Sequence, residues 1–120
     1  MTDPLPCTTN RTLKFENGSA IGMSHRWRNG QYCSILTPVG IVGCGIYDLE
    51  TAAEFGQAIA IAKGTPACPL VEPEDLFDAK IVGLTPLAAE MGIEVGMAGR
   101  DAAELMLKYS AASNSKCRPV

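Results

Sequence analysis

Ser19-Ala20-Ile21-Gly22-Met23-Ser24-His25-Arg26-Trp27-Arg28-Asn29-Gly30-Gln31-Tyr32-Cys33-Ser34-Ile35-Leu36-Thr37 is the stretch that decides the architecture. Apolar and polar residues alternate on both sides of Asn29-Gly30. An Asn-Gly pair is a strong short-range hairpin signal, because both residues tolerate the positive φ of a tight turn. A second pair, Asn17-Gly18, folds Leu13–Glu16 back onto Ser19–Arg28. Pro38-Val39-Gly40 makes a third turn and Ile41–Tyr47 a fourth strand. Residues 12–47 are therefore expected to form an antiparallel β-meander.

A two-residue turn at Asn29-Gly30 sets Arg28 opposite Gln31, Trp27 opposite Tyr32, His25 opposite Ser34 and Met23 opposite Leu36. Side chains alternate along a strand, so Ile21, Met23, His25, Trp27, Tyr32, Ser34 and Leu36 share one face. Arg26, Arg28, Cys33 and Ile35 take the other, and the Asn17-Gly18 turn adds Leu13 and Phe15 to it. Apolar groups thus stand on both faces, which a sheet with one solvated side does not require. Either a bulge changes the register or both faces are covered, and a second subunit is a natural cover for one of them. Ile21, Met23, Trp27, Tyr32 and Leu36 are the expected contact residues of a homo-oligomer.

The second half alternates helix and strand. Asp48 is a helix N-cap, with Glu50 in the first turn and Gly56 as the stop. Gln57–Lys63 is apolar at every interior position, the pattern of a strand buried on both faces. Residues 64–73 form a Pro-rich loop, Glu74–Asp78 a single helical turn, and Ala79–Leu84 a short strand. Thr85-Pro86 opens a helix closed by Gly92. Ile93–Gly96 is a connector or strand, and a last helix runs from Gly99 to Tyr109. The fold class is α/β (α+β), with a β-meander followed by alternating short helices and strands in one small domain.

Composition limits the function classes. A chain of 120 residues carrying 10 Lys+Arg, 13 Asp+Glu and net charge −3 is one globular domain. It lacks the basic excess of a nucleic-acid binder. No apolar run reaches the roughly 20 residues that span a bilayer. The start lacks a cationic segment followed by an apolar one, so no secretory signal is expected. Five dispersed cysteines, with no Cys-x-x-Cys pair, read as reduced thiols in a cytoplasm. With one His, they supply no zinc set. Residues 1–11 and 110–120 read as flexible tails around a domain of residues 12–109.

Gly43-Cys44-Gly45 at a strand end, Ala62-Lys63-Gly64 leading to Glu74-Asp75-Leu76, Thr85 to Glu90, and the closing Gly92-Ile93-x-Val95-Gly96-Met97-x-Gly99-Arg100-x-Ala102 occur in a distinctive order. This order resembles the YunC-like family of uncharacterised bacterial and archaeal proteins (domain of unknown function 1805), over residues 12–108. The resemblance implies a small α/β fold whose N-terminal β-region serves tetramerisation. It brings no reaction and no catalytic residues. The segment Pro66–Val71 lengthens the middle loop relative to the family.

Candidate chemistry rests on few residues. Cys44 lies between glycines at a strand end before a helix, where α/β proteins place functional groups. A cysteine hydrolase needs a His base, and the sole histidine is His25, on another strand. That pairing requires the fold or a neighbouring subunit to join them; the plainer reading of Cys44 is a small buried apolar group. Gly96, Gly99 and Arg100 precede a helix, where amides and a guanidinium would hold a phosphate or carboxylate. The plainer reading is a tight turn with Arg100 paired to Asp101 or Glu104. Arg26-Trp27-Arg28 reads as a solvated or interfacial strand. Glu72, Glu74, Asp75 and Asp78 read as a solvated loop rather than a divalent-ion site. The expectation is a cytoplasmic homo-oligomer, a tetramer, which binds a small anionic ligand without a cofactor or metal. A Cys44-dependent enzyme and a structural scaffold are the alternatives. Neither nucleic acid nor membrane is an expected partner.

Overall fold

The computed structural model describes residues 5–65, 67 and 69–113. Six strands form one sheet in sequence order: β1 (Cys7–Phe15), β2 (Gly18–Trp27), β3 (Gly30–Leu36), β4 (Gly40–Cys44), β5 (Ala58–Ala62) and β6 (Ile81–Leu84). Strands β1 to β4 are an antiparallel meander. β4 and β5 are parallel, joined by helix α1 (Leu49–Glu54), and β6 returns antiparallel to β5. A 3₁₀ turn (Pro73–Leu76), helix α2 (Pro86–Glu90) and helix α3 (Gly99–Ser113) complete the α+β domain.

The hairpins have the expected face parity but a different register. Trp27 pairs with Gly30, His25 with Tyr32, Met23 with Ser34 and Ile21 with Leu36. The loop is Arg28-Asn29, with Asn29 at φ 71°, and Gly30 enters the strand. Gly30 accepts this position because the Trp27 indole lies where its Cβ would stand. The β1–β2 hairpin shifts likewise, with Phe15 opposite Gly18 and Leu13 opposite Ala20. Each shift is two residues in the sum of paired numbers, so no side chain changes face.

The strand boundaries correct the expected tails. β1 begins at Cys7, so residues 7–11, expected in a flexible tail, pair with β2. Thr8 and Thr9 have β-branched side chains suited to an edge strand. The guanidinium of Arg11 donates to Glu74 Oε2 and Glu72 Oε1, each at 2.9 Å. α3 likewise runs past Tyr109 to Ser113. Residues 1–4 and 114–120 of the expected tails lie outside the described residues.

One face of the sheet carries the core. Leu13, Ala20, Cys33, Ile35, Val42, Ala58, Ala60 and Ala62 are buried there, and from the helices Ala102, Ala103 and Met106 have no exposed surface. The small side chains of β5 admit close approach of the covering layer. Pro73 sits on Gly22, whose added Cβ would meet Pro73 Cγ at 2.7 Å. Ser24 Oγ donates to Val71 O at 3.0 Å, and Arg26 pairs with Glu72, fastening the loop before the 3₁₀ turn to β2. At the other end of this face, Glu104 on α3 accepts from the amides of Glu16 and Asn17 at 3.0 Å and from Asn17 Nδ2 at 2.8 Å. Desolvation is the largest single effect on the Glu104 carboxyl and pushes its pKa up, but these bonds, which hold the β1–β2 turn, together outweigh it and leave the group below its usual pKa.

The opposite face is covered only in part. Leu49 of α1 packs on Gly83, and the Tyr47 ring occupies the space over Gly43. Over β1 to β3 this face lies open, with Ile21, Trp27 and Leu36 at 44%, 43% and 37% exposure. His25 stacks on Tyr32 at 4.7 Å, and Trp27 and Tyr47 meet the Tyr32 ring edge-on at 6.5 and 5.9 Å.

Candidate functional site

Cys44 and His25 are not brought together within the chain. Cys44 belongs to the core face, in line with Ala62 of β5, and packs against the core cluster. His25 belongs to the open face, opposite Tyr32. The sheet separates thiol from imidazole, so no intrachain Cys–His pair forms.

Gly96, Gly99 and Arg100 form a tight turn whose amides serve the fold. Gly96 N donates to Ile81 O and Gly99 N to Ala79 O, both at 2.8 Å, and Arg100 N donates to Phe77 O at 3.1 Å. A Cβ on Gly99 would run into the Leu76 carbonyl. The Arg100 guanidinium lies 4.5 Å from the centroid of Phe77, whose ring meets Phe15 edge-on at 5.5 Å. This cation–π stack locks the β1–β2 turn region to the start of α3. The amides that would cradle an anion are already paired, and the guanidinium is seated on an aromatic ring.

The acidic loop is engaged in the same way. Glu72 and Glu74 pair with Arg11, Glu72 also pairs with Arg26, and Asp75 accepts from the amides of Val71 and Glu72 at 3.1 and 2.9 Å. The Arg11 guanidinium lowers the Glu74 carboxyl. The carboxylates of Glu72, Glu74 and Asp75 are thus engaged in structural contacts.

The structure shows instead a cleft beyond the carboxyl ends of β4 and β5. A hollow of about 250 Å³ is lined by Gln31, Cys44, Gly45, Lys63, Gly64, Thr65, Pro69 and Leu70. A second, of about 320 Å³, shares Lys63, Gly64, Thr65 and Leu70 and continues to Asp75, Asp78 and Lys80. Cys44 stands half-buried in the first wall, and Lys63 is common to both hollows. Among the described residues Lys63 makes no ion pair. Sequence reasoning placed Cys44 at a strand end but overlooked Lys63. The available signal was its position just past an apolar strand, followed by Gly64.

A larger, apolar hollow lies on the open face. Its volume is about 340 Å³ and its lining Thr12, Ser19, Ala20, Ile21, Leu36, Thr37 and Pro38. Two of the expected contact residues, Ile21 and Leu36, form its walls. Met23, Trp27 and Tyr32 continue the same face along β2 and β3.

No curated protein matches the chain. A protein of unknown function from Thermoplasma acidophilum, TA1206, has a similar solved structure: TM-score 0.73, 17% identity, 87% of this chain and 97% of that chain covered. At that identity the likeness establishes the fold. The model of the domain of unknown function DUF1805 matches residues 43–106, from the end of β4 through most of α3. That is more than half of the 120 residues, and the chain belongs to the DUF1805 family.

Proposed function

We propose that this chain is a ligand-binding domain that takes a small anion, a phosphate or carboxylate, at the carboxyl ends of β4 and β5. The observation that carries the reading is Lys63, an ammonium without an ion-pair partner among the described residues, on the lip shared by both hollows. Ligands of α/β sheets gather beyond the carboxyl ends of parallel strands, and β4–β5 is the parallel pair of this sheet. Inorganic phosphate and pyrophosphate are the probes. Either should raise the melting temperature in a saturable way; a ligand at a hundred times its Kd adds about 2.7 kcal/mol. Lys63→Ala should abolish the rise, while Arg100→Ala should retain it. Absence of a rise with both anions, or a rise unchanged by Lys63→Ala, would overturn this site.

In the same reading the domain works as a homo-oligomer, with a second copy seated on the open face of β1 to β3. Along β1 and β2 this face presents Thr8, Asn10, Thr12, Lys14, Ser19, Ile21, Met23, His25 and Trp27. Lys14 is its sole fixed charge, so two copies meet without one-sign repulsion, as a self-complementary contact requires. Light scattering at micromolar concentration should give a multiple of the single-chain mass, a tetramer by the family resemblance. Ile21→Lys together with Leu36→Lys should reduce it to one chain. A wild-type particle of one chain would refute the assembly. The free thiols of Cys7, Cys33 and Cys44 support a reducing, cytoplasmic setting.

A further inference from the structure

We propose that Cys33 and Cys44 form a cross-strand dithiol that reduces low-molecular-weight disulfides, with Cys44 the attacking and Cys33 the resolving thiol. β3 and β4 are antiparallel, with Leu36 opposite Ile41, Ile35 opposite Val42 and Ser34 opposite Gly43. One step further, still within both strands, sets Cys33 opposite Cys44. Directly opposed residues share a face, and their Cα atoms lie about 4.5 or 5.5 Å apart. Both separations fall inside the roughly 4.4–6.8 Å a disulfide spans. The Cα spacing of the two strands therefore permits the bond.

The two thiols differ in access, and the difference assigns their roles. Cys44 lines the cleft and is half-buried, so a small disulfide entering beside Gln31 and Lys63 meets its sulfur. Cys33 has no exposed surface and sits behind it. Burial pushes the Cys33 thiol up to about 12, and the charge of neighbouring Cys44 adds to the rise. Cys33 thus stays protonated until a disulfide forms at Cys44.

The chemistry balances with a disulfide of the glutathione class as oxidant. Cys44 Sγ, as thiolate, attacks one sulfur of the small disulfide, breaks its S–S bond and releases one thiolate, which takes up the proton Cys44 lost. Cys33 Sγ then attacks Cys44 Sγ and displaces the second small thiol, to which the Cys33 proton passes. The two cysteines lose two electrons and two protons, and the small disulfide gains both as two thiols. This reaction needs no histidine, in keeping with the separation of His25 from the site. It is also independent of whether an anion binds at Lys63.

The test uses the reduced full-length chain and oxidised glutathione at neutral pH, followed by acid quenching, alkylation and peptide mass mapping. The expected result is a Cys33–Cys44 linked peptide and the loss of those two free thiols. The same link should form when Cys7, Cys68 and Cys117 are serine. Cys33→Ala should halt at a stable glutathione adduct on Cys44, and Cys44→Ser should leave Cys33 unmodified. Wild-type mapping decides the matter even if a variant folds poorly. An unmodified wild-type chain, one that stops at the adduct, or one that links Cys44 to another cysteine would overturn the proposal.

Discussion

Gly99→Ala should destabilise the domain by about 3 kcal/mol, the upper end for an overpacked site, and lower its melting temperature by about 12 °C. The methyl group would run into the Leu76 carbonyl oxygen, a backbone atom that cannot rotate aside. Leu76 belongs to the 3₁₀ turn, itself held against β2 by Pro73 on Gly22 and by the Arg11 and Arg26 ion pairs. On the other side, Gly99 N to Ala79 O and Arg100 N to Phe77 O fix the first turn of α3. Relief must displace α3, and with it the fully buried Ala102, Ala103 and Met106. Gly56→Ala provides the contrast. Gly56 has φ 67° with open space around its missing Cβ, so that change costs about 1 kcal/mol through backbone strain alone. Urea unfolding of both variants separates the mechanisms. A Gly99→Ala chain as stable as wild type would mean that the turn does not hold α3 as described.

The same close approach shows what could be read from the chain. Asn17-Gly18 and Asn29-Gly30 locate both hairpins, and alternation then distributes Leu13, Cys33 and Ile35 to one face and Ile21, Trp27 and Leu36 to the other. The register was not legible, because it depends on which residue tolerates its partner. Gly30 enters β3 since the Trp27 ring fills the place of its side chain. Asp48 and Thr85 declare their helices locally, since each cap bonds amides two or three residues on. The start of β1 was hidden because Thr8, Thr9, Asn10 and Arg11 look like a tail. Their order comes from pairing with β2 and from Glu72 and Glu74, more than sixty residues away.

The cleft was legible only in its parts. Cys44, Lys63 and Gly64 are each marked by position at a strand end, but their convergence requires β4 and β5 to be parallel neighbours. The opposition of Cys33 and Cys44 depends on the length of the turn after Leu36, which composition does not fix. Thr37 sets it: its Oγ1 donates to Gly40 O at 2.8 Å and accepts from Gly40 N at 3.0 Å, closing the loop at Pro38-Val39. Arg100 is the opposite case. Its glycine-rich context suggests an anion, and the fold uses it on Phe77.

Thr85→Val should cost about 3 kcal/mol, the amount expected when buried backbone groups lose a shared partner. Thr85 is 1% exposed, and its hydroxyl donates to Gln57 O at 2.7 Å while accepting from Ile59 N at 3.1 Å. It also caps α2 through Ala88 N at 3.5 Å. One oxygen therefore ties the start of β5 to the start of α2. Valine nearly preserves the volume but leaves the Ile59 amide and Gln57 carbonyl without this partner, and Ile59 lies in a buried stretch of strand. Thr85→Ser keeps the hydroxyl and loses one methyl, which costs about 1 kcal/mol. Denaturant titration should rank wild type, Thr85→Ser and Thr85→Val in that order. Equal stability of the two variants would show that packing of the methyl, and not the hydroxyl, holds β5. The ranking bears on the cleft because Lys63 follows the last residue of β5: a strand released at Gln57 and Ile59 no longer fixes the ammonium beside Cys44, so Thr85→Val should also weaken any phosphate-dependent rise in melting temperature.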